Sequence, residues 1–168
     1  MSDTASGRKI VMGLGNTLNK DEGLGVHALA LLKKKLEQSA PDVEFLDGGA
    51  LGLNLLPWVE EASHLLVLDS IDSRNLLPGQ VMELSKDEIP LYRNIKMSDH
   101  QITFQEVLGL AQFRDKFPEH LHLIGAKPVD ITIGYGLSHD IESIIPEILS
   151  RAEQVLQKWE LLIQYSAN

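Results

Sequence analysis

The sequence predicts an α/β fold: a three-layer sandwich in which a five-stranded, mostly parallel twisted sheet has one antiparallel edge strand and helices on both faces. Short apolar runs of strand length alternate along the chain with segments of helical spacing. The run HLLVLD, from His64 to Asp69, is continuously apolar, which is typical of a parallel strand buried on both faces. Glycine-rich or acidic turns follow the first strands, as at the ligand-binding end of open α/β sheets.

The first two β–α units follow this pattern closely. A strand at Lys9–Leu14 leads through a glycine-rich turn to a helix at Leu24–Gln38, which has apolar residues at helical spacing and lysines near its end. A second strand at Val43–Leu46 precedes a helix at Gly52–Glu61. Pro57 is expected to shorten or bend that helix.

The rhythm changes after the third strand. Gln80–Leu84 is predicted to be the antiparallel edge strand, and residues 85–99 show no convincing period. A third helix is predicted at Thr103–Gln112, where Thr103 and Glu106 have the spacing of a capping box.

The last strand is predicted at His120–Ala126, and Ser138 is expected to cap a long final helix that runs to about Trp159. Pro146 conflicts with an uninterrupted helix, so either the helix starts at Pro146 or it kinks there. Length predicts a single domain, residues 9–165, preceded by a disordered tail, residues 1–8.

Composition narrows the function classes. The 168 residues contain no cysteine, which excludes a thiolate nucleophile and cysteine-based metal sites. The net charge of -9 argues against a nucleic-acid partner. No apolar run approaches the roughly 18 residues of a membrane span, and the polar start lacks a signal core. We therefore expect a cytoplasmic protein without membrane insertion, and a monomer by default.

The turn after the first strand resembles half of a dinucleotide-binding fingerprint, because Gly13 and Gly15 have the Gly-x-Gly spacing. The third glycine of that motif is absent, and Asp21 and Glu22 would repel a pyrophosphate. A glycine-rich turn that carries carboxylates suits a cation better than an anion.

Three strand ends could bring acids to one crevice: Asp21 and Glu22 after the first strand, Asp47 after the second and Asp69 after the third. A loop-satisfying role is the simpler interpretation for Asp47, whereas a charge that ends a doubly buried strand requires a partner. Carboxylates that converge without Lys or Arg raise one another's pKa, and a bound metal removes that conflict.

A nitrogen ligand would complete such a site. His100, in the segment MSDHQ ahead of the third helix, is the histidine best placed for function, because it follows an irregular loop. The other five histidines are expected to be packing or surface residues. Carboxylates plus imidazole are consistent with nickel, zinc, iron or manganese.

Five segments follow one another along the chain: GLGNTLNKDEGLGVH, FLDGGALGLNLL, LLVLDSI, a Pro-Gly pair before the fourth strand, and MSDHQ. Together they resemble the [NiFe]-hydrogenase maturation endopeptidases, which trim the C-terminal extension of the hydrogenase large subunit. The resemblance implies that Glu22, Asp69 and His100 are nickel ligands and catalytic residues. The match of Asp47-Gly48-Gly49 to the family's Asp-Gly-Gly implies that Asp47 supports the site or contacts the substrate's tail. Asp21, beside Glu22, is expected to be a helix-start acid or to support the site.

The implied substrate is a large-subunit precursor already loaded with nickel, so the enzyme would recognise substrate-held nickel and need no permanently bound metal. Asp69 or Glu22 would serve as general base. Two other interpretations stay open: an aspartic-type peptidase with Asp47 and Asp69 as a dyad, and a non-enzymatic nickel carrier or chaperone. The loops at residues 87–99 and 127–138 are expected to set partner choice.

Overall fold

The computed structural model describes residues 7–89 and 103–164 of the 168-residue chain. The strands are β1 (Arg8–Leu14), β2 (Val43–Gly49), β3 (Ala62–Ser70), β4 (Val81–Ser85) and β5 (His120–Ala126). The α-helices are α1 (Leu24–Leu36), α2 (Leu56–Glu61), α3 (Phe104–Phe113) and α4 (His139–Lys158). Short 3₁₀ turns lie at Lys20–Gly23, Gly52–Leu55 and Lys86–Glu88.

The five strands form one sheet in the order β2-β1-β3-β5-β4. β1 pairs in parallel with β2 and with β3, and β3 pairs in parallel with β5. β4 is antiparallel to β5 and lies at the edge. The predicted fold class is therefore confirmed, including the antiparallel edge strand. The chain leaves β1 toward one side and returns to the other as β3, so the strand order reverses between β1 and β3.

The core lies in two apolar layers, one on each face of the sheet. Successive side chains of β3 alternate between them: Leu65 and Val67 pack with α2 and α3, whereas Leu66 and Leu68 pack with α1 and α4. Both clusters contain fully buried side chains from several elements. This double burial explains why β3 reads as a continuous apolar run.

Helix ends follow the predicted signals in two places. Thr103 caps α3, and its side chain and that of Glu106 form the expected capping box. Ser138 caps α4 by accepting a hydrogen bond from the backbone N–H of Ile141. In residues 7–89 and 103–164 no helix combines the length and apolar character required to cross a membrane.

The structure tests two interpretations of prolines. The predicted shortening at Pro57 is confirmed: Pro57 lies in the first turn of α2, where a missing N–H leaves no intrahelical hydrogen bond unmade, and a 3₁₀ turn occupies Gly52–Leu55. The final helix does not start at Pro146, because α4 begins at His139 and Pro146 lies inside it. β2 also continues through Gly49, beyond its predicted end at Leu46.

Candidate functional site

The parallel strands β1, β2, β3 and β5 all end at the same side of the sheet, which we call the carboxyl edge. It comprises the strand ends and the loops at residues 15–23, 50–55, 71–80 and 127–138. Ligands of open α/β sheets bind at this edge, at the point where the strand order reverses. Here that point lies between β1 and β3, whose ends carry Glu22 and Asp69.

Glu22 lies in the 3₁₀ turn Lys20–Gly23, which contacts β3. The turn approaches β1 closely because Gly15 has a φ of +129° and a side chain there would collide with the carbonyl of Glu22. A side chain at Gly25 would likewise collide with the carbonyls of Leu14 and Leu68. The glycines therefore hold the half-buried Glu22 beside the ends of β1 and β3.

Asp69 is the penultimate residue of β3 and is fully buried. Its Oδ1 accepts a hydrogen bond of 2.8 Å from the backbone N–H of Ser70. The structure thus places one buried carboxylate near the end of β3 and one half-buried carboxylate in the turn that follows β1, and these two strands are neighbours in the sheet.

Asp21 is fully buried beside Glu22 and accepts four hydrogen bonds. Its Oδ2 accepts from the backbone N–H groups of Val129 and Asp130, at 3.0 and 2.8 Å, and from Ser138 Oγ at 2.8 Å. Its Oδ1 accepts from Ser138 N at 2.7 Å. Asp21 therefore joins the Glu22 turn to both ends of the loop at residues 127–138, a connection that its sequence position did not reveal.

Asp47 is exposed and sits within β2, opposite Gly13 of β1. Its Oδ1 accepts a hydrogen bond of 2.9 Å from Gly49 N, the loop-satisfying arrangement. Asp47 lies opposite Gly13, and Gly13 lies opposite Leu68, so Asp69 is one position further along and faces the other side of the sheet from Asp47. An aspartic dyad requires carboxylates about 3 Å apart, so this placement argues against a dyad.

His100 and the rest of its segment lie outside the described residues, so its predicted role as a ligand stays a prediction. In the ranges 7–89 and 103–164, no three His, Cys, Asp or Glu side chains are grouped so as to hold a metal ion. Glu22 and Asp69 supply oxygen donors, and a complete three-residue set would require a group from elsewhere in the chain.

Three other histidines lie at the opposite side of the sheet, which we call the amino edge. His64 and His120 stack across β3 and β5, with ring centroids 4.2 Å apart. His122 Nε2 lies 2.7 Å from Glu83 Oε1, and Trp159 contacts all three imidazoles. Burial, followed by the charge of His120, lowers the pKa of His64. These residues serve packing, as expected, and are remote from Glu22.

Comparisons of the sequence and of the structure with known proteins identify the same group of relatives. The sequence profile of the family described as "Hydrogenase maturation protease" matches residues 26–155. The hydrogenase expression/formation protein HupD of Rhizobium leguminosarum bv. viciae is 40% identical over 158 residues, which cover 93% of this chain and 77% of HupD. The hydrogenase 2 maturation protease of Escherichia coli K12 is 37% identical over 150 residues, covering 89% and 88%.

Solved structures show the same fold. The hydrogenase maturating endopeptidase HybD from Escherichia coli superposes with a TM-score of 0.79 at 33% identity, covering 90% of this chain and 93% of HybD. The [NiFe] hydrogenase maturation protease HybD from Thermococcus kodakarensis gives 0.67 at 26% identity, covering 88% and 98%. The similarity spans nearly all of the described sheet and helices.

Proposed function

The chain belongs to the hydrogenase maturation protease family and is a peptidase, and from this premise we propose that it removes the C-terminal extension of a nickel-loaded [NiFe]-hydrogenase large-subunit precursor in the cytoplasm. The observation that carries the proposal is the placement of Glu22 and Asp69 at the point where the strand order reverses. Two carboxylates at that crevice suit a substrate that brings its own cation.

Substrate-held nickel fits the donor chemistry. Carboxylate oxygens and an imidazole nitrogen are suitable ligands for nickel, and His100 supplies the imidazole in this proposal. A site with three protein ligands leaves positions open for groups of the substrate. In this proposal the enzyme recognises the precursor by its nickel, which Glu22, Asp69 and His100 bind.

The carboxylates of Glu22, Asp69 and Asp21 have different roles in this proposal, according to how deeply each is buried. Half-buried Glu22 is accessible to a water molecule and serves as general base: it takes the proton as the water attacks the scissile carbonyl, then delivers it to the departing amine. Buried Asp69 is held by Ser70 N, and its carboxyl group is therefore kept in a fixed position as a ligand for the nickel. Asp21 acts by holding the turn in place.

The test compares two forms of the same large-subunit precursor, one loaded with nickel and one nickel-free. Loss of the C-terminal extension is followed by gel mobility and intact mass. We expect cleavage of the nickel-loaded form only. Equal cleavage of both forms would reject nickel recognition, and a wild-type protein that cuts neither form would reject the substrate assignment.

The ligand set has its own test in Asp69→Asn and His100→Ala, with His139→Ala as the matched histidine control. His139 is exposed at the start of α4. We expect both ligand variants to lose cleavage of the nickel-loaded precursor by about 10²-fold or more, and the control to keep it. An active His100→Ala protein would contradict the assignment of the third ligand.

A further inference from the structure

Exposed apolar side chains are concentrated at the carboxyl edge. Of the twelve exposed large hydrophobic residues in the described part of the chain, eight lie in its loops. They are Leu18, Leu51, Leu53, Leu77, Val129, Ile131, Ile133 and Tyr135. Scattered apolar residues need no explanation, but a concentration on one side marks an interaction surface.

Four of these residues form what we call the apolar ridge: Leu18, Ile131, Ile133 and Tyr135. Backbone hydrogen bonds join their two loops, since Lys20 N donates to Gly134 O at 3.0 Å and Gly134 N donates to Leu18 O at 2.8 Å. Ile133 is 90% exposed, Tyr135 77% and Leu18 65%. The ridge is therefore an ordered structure that presents apolar side chains to solvent.

Hydrogen bonds and an ion pair fix the two loops that carry the ridge. Asp21 binds both ends of the loop that carries Ile131, Ile133 and Tyr135. Lys20 adopts a left-handed conformation, with φ +47°, and its Nζ pairs with Asp130 Oδ2 at 3.0 Å. A strained residue persists only where its surroundings impose it, which is common at functional sites.

The charges next to the ridge are already paired. Hydrogen bonds from Thr132 and then from Lys20 lower the pKa of Asp130 to about 2, so it stays ionised opposite Lys20 at neutral pH. A paired Lys–Asp couple at the rim leaves the apolar side chains as the feature that a partner would cover, as in the centre of protein interfaces.

The ridge is continuous with the candidate active site. Leu18 lies in the same turn segment as Glu22, and Asp21 N, next to Glu22, donates to Asp130 O at 3.0 Å. We propose that the apolar ridge is the docking surface for the polypeptide substrate and binds an apolar segment of the precursor beside the scissile bond. This proposal rests on the proposed function, because it assigns the recognition surface of the same site.

The occupant follows from this position. A peptidase must bind the substrate residues on both sides of the bond that it cuts. Because the apolar ridge is built on the turn that carries Glu22, it lies where those flanking substrate residues would pass. Apolar anchors of this kind carry a large share of binding energy when they are covered. The ridge therefore determines which precursor is bound, and the carboxylates of Glu22 and Asp69 take part in its cleavage.

The test uses Ile133→Ser and Tyr135→Ser, with Phe113→Ser as the matched control. Phe113 is 87% exposed, but it ends α3 near the start of β5, at the amino edge. The probe is the nickel-loaded large-subunit precursor of the host organism. We expect Kd and KM for this precursor to rise about tenfold in each ridge variant, equivalent to about 1.4 kcal/mol, with kcat unchanged and the control like wild type.

Binding and cleavage are measured separately, so the two proposals can fail independently. If wild type binds the precursor without cutting it, the proposed function is wrong, and weaker binding by the ridge variants still supports the ridge. Unchanged Kd and KM in both ridge variants, or no precursor binding by wild type, would overturn the ridge. A wild-type dimer that dissociates in Ile133→Ser would also overturn it, in favour of a second copy as the occupant.

Discussion

The two edges of the sheet use charge in opposite ways. At the carboxyl edge, the acids Asp21 and Asp69 are fully buried and are held by backbone N–H groups, with exposed apolar side chains around them. At the amino edge, charges pair with one another near the surface: Arg8 binds both Glu44 and Glu61. Backbone donors cannot move away from a carboxylate, whereas long side chains can, so only the first arrangement preorganises a site.

The pKa directions at the amino edge agree with this contrast. Hydrogen bonds from Arg8 lower the pKa of Glu44, and hydrogen bonds to Glu44 and Glu61 raise that of Arg8. Solvent reaches these side chains and screens their attraction, and the two pKa shifts keep Arg8 and Glu44 charged at neutral pH. The amino edge therefore joins β1, β2 and α2 without creating a reactive group.

The largest expected difference between the edges is in activity. Glu22→Gln and Glu119→Gln each remove one negative charge, the first beside the end of β3 and the second just before β5, at the amino edge. We expect Glu22→Gln to lower cleavage of the nickel-loaded precursor by about 10²-fold or more, because a general base is lost, and Glu119→Gln to retain it. Similar losses in both variants would mean that charge, and not position, matters.

The second largest expected difference between the edges is in the free energy of unfolding. Asp21→Ala removes the acceptor of three backbone N–H groups and one hydroxyl. A fully buried donor left unsatisfied costs about 1–3 kcal/mol. Because these four donors are only part-buried, water can replace some of the lost hydrogen bonds, and we expect Asp21→Ala to lower the free energy of unfolding by about 2–4 kcal/mol in total. Glu83→Ala, which breaks pairs with His122 and Arg151, should cost less than about 1 kcal/mol. Urea denaturation measures both, and equal costs would remove the contrast.

Within the carboxyl edge, buried and exposed acids should differ as well. Asp47 is exposed and accepts a hydrogen bond from Gly49 N, and an amide oxygen can replace the carboxylate there. We expect Asp47→Asn to keep cleavage within about threefold of wild type, roughly 0.7 kcal/mol in barrier. A loss as large as that of Asp69→Asn would restore the dyad interpretation despite the strand that separates them.

The smallest expected effect is pH-dependent stability at the amino edge. Burial, then His120 and Lys9, lower the pKa of His64, while Glu119 opposes the shift. The unfolded chain therefore binds a proton more tightly than the folded protein does, so stability falls as pH drops below about 6.5. His64→Gln should remove this contribution to the pH dependence of Tm. Because the site is partly exposed, we expect the contribution to be about 1–2 °C over the pH range measured. Thermal melts between pH 5.5 and 7.5, in about half-unit steps, measure it, and an unchanged slope would contradict the assignment.

Much of the fold was accessible from local pattern. Apolar runs identified all five strands, and the capping signal at Thr103 identified the start of α3. Pro146 was misleading because α4 packs an apolar face on the sheet, and that tertiary contact outweighs one missing backbone hydrogen bond. That the segments carrying Glu22 and Asp69 lie at one edge of the sheet was predictable too, since the carboxyl ends of parallel strands share one edge.

The sequence by itself determined the order of strands and helices, the acids at the strand ends and the resemblance to a protease family. Tertiary structure alone decided what Asp21 does and where the apolar ridge lies. Asp21 bonds to residues 108 to 117 positions away, and Lys20 pairs with Asp130 110 positions away. Such contacts leave no periodic trace in either segment, because they depend on how the sheet brings two loops together and not on any property of the loops themselves.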